Sequence, residues 1–364
     1  MLNIKEQMKS DIQAAIAARV KGGNLIFGYL GMPGVGKTQI VAQVAEELRL
    51  RHFGALLLSS CSPMDIVGKV PNVEEEVLAS YPNSDIPLDI FVGDEFVLWP
   101  VDECTNATSD TWKAFQQGML SRQFGKHRLG KNVIILLMGN RQSDKAGSGV
   151  LSTAVYNRVT WRNIEWTAKH SDTAIEYISD KYREDSPQAK ETLALMQGYF
   201  THKPILEKDF TDALGKIGKD AYVQWCSPRS LEALLCRVSV TGWVLPGVED
   251  MAGDIGLGRA TELMGFASLL GKLPKYEEII KDPAKCKLPE EVDAQYAMVS
   301  MLSVRVKPTD MELVWSYMSR FKETTMRVVF LKMATKVTRE LTDTKTYKDL
   351  FKTDKELVAA VSSM

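Results

Sequence analysis

Short apolar runs and longer amphipathic stretches alternate through the first half of the chain. Five runs of strand length, at residues 25–30, 55–58, 96–101, 133–138 and 159–166, are separated by helix-like segments. Strands alternating with helices predict a parallel sheet covered by helices. Beyond Ala168 the strand pattern fades and a helical period takes over. Ile175, Ile178 and Tyr182 share one face, then Leu193, Leu195 and Met196, then Leu231, Leu234, Leu235 and Val238. A Gly- and Pro-bearing joint at 241–258 precedes a third run, in which Val292, Tyr296, Val299 and Leu302 fall together. The expected architecture is an α/β domain over residues 1–167, a helical domain over 168–245 and a helical C-terminal extension over 246–364.

Composition narrows the class. The 364 residues correspond to two or three domains at roughly 150 residues each, and 45% apolar with 25% charged residues is ordinary for a folded globular chain. Forty-five Lys and Arg against 46 Asp and Glu leave a net charge of −1, so no global field draws the chain onto nucleic acid or an anionic membrane. Five scattered cysteines without a C-x-x-C pair argue against a disulfide framework or a zinc site and fit a reducing compartment. Residues 1–20 lack the uninterrupted apolar core of a signal peptide, and no stretch approaches the ~20 apolar residues that span a bilayer. A cytoplasmic protein without membrane contact is expected.

The strongest chemical signal is Gly31-Met32-Pro33-Gly34-Val35-Gly36-Lys37-Thr38, a G-x-x-x-x-G-K-(S/T) phosphate-binding loop. An apolar strand runs into it, and a helix with Ile40, Val41, Val44 and Leu48 on one face follows. The glycines let backbone N–H groups turn inward around a phosphate, Lys37 reaches the β- and γ-phosphates, and Thr38 offers a hydroxyl to magnesium. Residues Pro33, Gly34, Val35, Gly36, Lys37, Thr38 and Gln39 are the expected ATP-binding set.

Phe96-Val97-Leu98-Trp99-Pro100-Val101-Asp102-Glu103 is an apolar run ending in two carboxylates, a Walker B pattern. Asp102 is the candidate magnesium ligand with Thr38, and Glu103 the general base that polarises the attacking water. Pro100 is awkward in a central strand, where its missing N–H removes a ladder bond, and Asp94-Glu95 offers a competing pair. The helix pattern of Trp112, Phe115 and Met119 after the later pair favours Asp102-Glu103. The run 133–139 delivers Asn140, an amide able to orient water between Glu103 and the γ-phosphate. Ser227 and Pro228 read as the N-cap and first residue of a helix, with Arg229 projecting from its first turn. His52, His170 and His202 show no metal spacing and no paired nucleophile.

This order of motifs resembles that of AAA+ ATPases, and more narrowly the MoxR-like, dynein-related group. Residues 139–144 and 151–159 look like that group's stretch from sensor 1 to its Asn/Asp-Arg-Phe element, with Val159 in place of the usual Phe. The likeness spans about residues 20–245. It implies a P-loop parallel-sheet core, a helical lid, Asn140 as sensor 1, Arg229 as sensor 2, and Arg158 as an arginine finger inserted into the next subunit's site. Arg141 is a second candidate for the finger. It further implies a Mg2+- and ATP-dependent homo-oligomeric ring, expected to be hexameric, that remodels a protein client with a von Willebrand factor A-type partner. In relatives the region after Cys61 carries an insert in helix 2 that points toward the pore. The basic segment 122–131 reads as a hairpin; with a net charge of −1, the alternative of an AAA+ module acting on DNA or RNA through that hairpin is not favoured. A nucleotide-gated scaffold with negligible turnover would not need Glu103 and Arg158 together.

Overall fold

The computed structural model describes residues 4–147, 149, 151–183, 185–216, 224–353 and 357. The chain divides into two compact units, Met1–Trp166 and Thr167–Met364.

The first unit is built from α1 (Ile4–Val20), β1 (Phe27–Leu30), α2 (Lys37–Glu47), β2 (Arg51–His52), β3 (Leu56–Leu57), α3 (Pro63–Val67), β4 (Lys69–Asn72), β5 (Val77–Ser80), β6 (Val97–Asp102), α4 (Ser109–Ser121), β7 (Gln123–Phe124), β8 (His127–Arg128), β9 (Val133–Gly139), α5 (Thr153–Tyr156) and β10 (Thr160–Asn163). The main sheet runs β10-β1-β9-β6-β2, with β3 also on β6, and every pairing in it is parallel. The expected α/β core with a helical remainder is therefore what the chain forms. All seven residues of β9 are buried, as are the first five of β6, which is why both read as unbroken apolar runs: strands covered on both faces show no alternation. Trp99 packs its ring against Phe115 and Phe124, each 5.9 Å away, and so fastens α4 and β7 to the sheet.

Pro100 costs the sheet nothing. Val97 donates toward β9, to the Asn132 carbonyl, while the Leu98 carbonyl accepts from Phe53 on the other side. Alternate residues of a strand address opposite neighbours, so Pro100 faces the β2–β3 side. There β2 ends at His52 and β3 starts at Leu56, leaving a gap opposite the missing N–H.

The P-loop strand is braced from below by Asp11 of α1, which is only 4% exposed. Its carboxylate accepts from the Tyr29 hydroxyl at 3.1 Å, from Arg162 of β10 at 3.0 and 3.2 Å, and from Gln7 at 3.1 Å. Asp11→Ala leaves the Tyr29 hydroxyl without this acceptor and is expected to lower stability by about 1–3 kcal/mol. Urea unfolding should show a lower midpoint at an unchanged slope.

The second unit is helical: α6 (Ala168–Asp180), α7 (Pro187–His202), α8 (Glu207–Leu214), α9 (Pro228–Val240), α10 (Val248–Ile255), α11 (Leu257–Leu269), α12 (Tyr276–Lys281), α13 (Val292–Arg305), α14 (Met311–Met318), α15 (Thr324–Val337) and α16 (Lys345–Thr353). The joint at 241–258 does not separate two cores. Trp243, Met251 and Ile255 are buried in the same apolar cluster as Leu193, Leu234, Val299 and Phe330, and the Trp243 carbonyl accepts from the Thr192 hydroxyl of α7 at 2.7 Å. Residues on both sides of 245 thus form one compact body. His170 caps α6, its Nδ1 accepting the Thr167 N–H at 3.1 Å.

Candidate functional site

Parallel order brings the carboxyl ends of β1, β9 and β6 side by side, with Leu30 level with Gly139. In open α/β sheets ligands bind at that edge. The residues that follow the three strands are Gly31, Asn140 and Glu103.

The loop after β1 takes its shape from Gly34 and Gly36, whose φ angles of 82° and 81° suit residues without a Cβ. Gly36 is also the N-cap of α2, so the first N–H groups of that helix, which have no intrahelical acceptors, point outward with the positive end of its dipole. Lys37 is buried, and its ammonium donates to the carbonyls of Gly31 (2.8 Å) and Met32 (3.1 Å) and to Asn140 Oδ1 (3.0 Å). The Thr38 hydroxyl donates to Asp102, whose other oxygen accepts the Glu103 N–H at 2.7 Å. The hydroxyl and carboxylate expected to share a magnesium ion therefore already meet. A hard cation of this kind takes one or two protein oxygens and completes its shell with phosphate and water, so the pair fits it.

Glu103 stands at the end of β6 in the left-handed region, φ 50°, which turns its exposed carboxylate off the strand line. Ser59 holds that carboxylate: its hydroxyl donates to Glu103 Oε2 at 2.6 Å. Sequence reasoning missed Ser59, because a serine ending a short apolar run carries no distinguishing mark. The Asn140 N–H donates to the buried Thr105 hydroxyl at 3.0 Å, while its side chain meets Lys37. The sheet thus assembles Lys37, Thr38, Asp102 and Asn140 by direct contact and sets Glu103 beside them.

The competing acidic pair is at the wrong end. Asp94 and Glu95 precede β6, and Glu95 is engaged by Arg51 at 2.7 Å; the length of β6, about 20 Å for six residues, separates them from the loop. The two arginine candidates also part company. Arg141 is folded onto Asp144, with its Nη2 3.0 Å and its Nε 3.1 Å from one oxygen. Arg158, after α5, is exposed and donates to the Ala154 carbonyl at 3.0 Å; among the described residues no hydrogen bond ties it to Lys37, Asp102 or Glu103. Val159 is buried in the core of the first unit, an apolar role that Val fills as Phe would. Arg229 belongs to the second unit, exposed in the first turn of α9 after the Ser227 cap and Pro228.

The basic hairpin forms as β7 and β8, but Arg122 is not available to a ligand. It donates to the carbonyls of Gly130 (2.8 Å) and Val133 (3.0 Å) and to Asn24 (3.1 Å), and burial, with Arg19 nearby, pulls its guanidinium down to about 10. Lys126, Arg128 and Lys131 stay exposed.

No protein-family model matches the chain, and no curated relative matches it. Similar solved structures include two mutants of Thermotoga maritima RuvB. One is 14% identical over 68% of this chain and 80% of that chain, with a TM-score of 0.34; the other is 15% identical over 72% and 88%, with a TM-score of 0.33. NtrX from Brucella abortus in complex with ADP is 12% identical over 94% of this chain and 69% of that chain, with a TM-score of 0.39. Among the described residues no helix is long and apolar enough to cross a membrane.

Proposed function

We propose that the chain is an AAA+ ATPase of the MoxR-like type: a ring, hexameric by that resemblance, that hydrolyses ATP with Mg2+ and uses the energy to remodel a protein client, with a von Willebrand factor A-type partner. The observation that carries the reading is the contact of Lys37 with Asn140 and of Thr38 with Asp102 at adjoining strand ends, with Glu103 next in line. In this reading the loop N–H groups and Lys37 bind the phosphates. Thr38 and Asp102 hold Mg2+, which when bound draws charge from the phosphate oxygens. Glu103 takes the proton of the attacking water, Asn140 orients that water, and Arg158 of a second copy neutralises charge on the transferring group. Arg229 reports the nucleotide to the helical unit.

The exposed Lys126, Arg128 and Lys131 favour a second reading, an AAA+ module that tracks a nucleic-acid backbone. It is the weaker one, since Arg122 is bound internally and the neighbouring hairpin β4–β5 ends in Glu74, Glu75 and Glu76, which repel phosphate.

Lys37→Ala tests the binding half of the proposal. Removing the ammonium deletes charge-assisted bonds to the phosphates worth roughly 1.5–3 kcal/mol each, so ATP affinity should fall by about 10²-fold or more. Isothermal titration with Mg-ATP would show it, and an unchanged dissociation constant would remove Lys37 from the site.

A further inference from the structure

We infer that the β4–β5 hairpin and the groove at its root form a docking surface for an extended polypeptide segment that alternates basic with apolar side chains. This rests on the client-remodelling reading and specifies the class of client.

The hairpin presents apolar surface on both faces. Register puts Val70 with Ala79 and Asn72 with Val77 on one face, and Pro71 with Leu78 on the other. Val70, Val77 and Leu78 are 49, 51 and 59% exposed, and Val73 at the tip is 85% exposed. Isolated two-stranded hairpins are marginal in water, and an apolar patch of this kind marks a contact surface. Its shape is nevertheless set. The Asn72 side chain accepts the N–H groups of Glu74 (3.1 Å) and Glu75 (3.3 Å), and at the root Tyr81 donates to the Gly68 carbonyl at 2.7 Å. His127 of the basic hairpin sits 3.4 Å from the Ser80 carbonyl. The groove beside it is lined by Phe53, Leu56, Met64, Pro71 and Tyr81, with Asp65 and Asp85 among its polar residues.

Charge selects the occupant. Between residues 62 and 94 seven acids face a single base, Lys69, a local net of −6 in a chain whose total is −1. Glu74, Glu75 and Glu76 are exposed, and among the described residues none has an ion-pair partner. An apolar surface rimmed by unmatched carboxylates suits a segment carrying Lys or Arg beside Val, Leu or Ile and repels acidic peptides and nucleic acid. Each strand is four residues long, about 13 Å, so it matches about four residues of an extended partner.

The test is fluorescence anisotropy on the full chain with three labelled probes: a peptide alternating Lys with Val and Leu, the same peptide with Glu for Lys, and single-stranded DNA. The basic peptide should bind, more weakly as salt rises, and the other two should not. The variant E74Q/E75Q/E76Q should weaken that binding about tenfold and flatten its salt dependence, the loss expected for three rim charges. V73S/L78S should weaken it without altering the salt slope. All five side chains concerned are exposed, so thermal melting should match the unmodified chain. Equal binding of the acidic peptide, binding unaffected by both variants, or no peptide binding overturns the inference. So does loss of self-association in place of peptide binding, which would make the hairpin a contact between copies. ATP turnover by the same samples is read separately: turnover without peptide binding removes only this inference, and peptide binding without turnover removes only the proposed function.

Discussion

Glu103→Gln is expected to bind Mg-ATP with near-unmodified affinity and to hydrolyse it about 10² to 10⁴ times more slowly, the range general-base catalysis supplies. The amide matches the carboxylate in size and can still accept from the Ser59 hydroxyl, which donates to Glu103 Oε2 at 2.6 Å; what it lacks is basicity. The Asp102 carboxylate and Thr38 are untouched, so magnesium binding should persist. Single-turnover hydrolysis and nucleotide titration on the same sample separate the two effects. A variant that hydrolyses at the unmodified rate would mean that Glu103 is not the base, and Asp94-Glu95 could not replace it from the opposite end of β6.

Arg158→Ala is expected to retain ATP binding and lose turnover by about 10³ to 10⁵, or about 4 to 7 kcal/mol of barrier, by analogy with arginine fingers of GTPases. Arg158 is exposed and its side chain donates to the Ala154 carbonyl one turn earlier, so the loss should leave folding intact. Mixing decides whose site it serves. An Arg158→Ala subunit keeps its own Glu103, and a Glu103→Gln subunit keeps its Arg158. An interface joining the first subunit's site to the second subunit's arginine is chemically complete, and two inactive proteins should recover part of the activity. If labelled subunits exchange and activity stays at background, Arg158 does not act across the interface. The same mix with Arg141→Ala should show no such complementation, because Arg141 is bound to Asp144 within its own chain.

The site's inner residues were legible because two strands of the sheet are covered on both faces. A run such as Val133-Ile134-Ile135-Leu136-Leu137-Met138 has the length of a strand and not of a helix, and it is buried as one; each of the two strands delivers a polar residue to the sheet edge. The Pro100 anomaly dissolved only with the three-dimensional gap between β2 and β3: the run 55–58 marks β3, but Arg51 and His52 of β2 are exposed and leave no apolar pattern. Hairpin β4–β5 was hidden for a different reason. Lys69-Val70-Pro71-Asn72 and Val77-Leu78-Ala79-Ser80 have no buried face, so neither shows the polar–apolar alternation that burial imposes. In the helical unit the Gly- and Pro-bearing stretch around 245 resembled a linker. The buried Trp243 and Met251, invisible to composition, tie it into a single core.

The central claim is that this P-loop hydrolyses ATP in a site completed by a second copy of the chain. Phosphate release by the unmodified protein, measured with Mg-ATP across a dilution series, tests it most directly, since a shared site is lost on dissociation. The account predicts release that needs magnesium and a turnover per chain that climbs with protein concentration, then levels off once the assembly is complete. No release at any concentration, or a turnover per chain that stays constant down to concentrations where the protein sediments as a monomer, would contradict it.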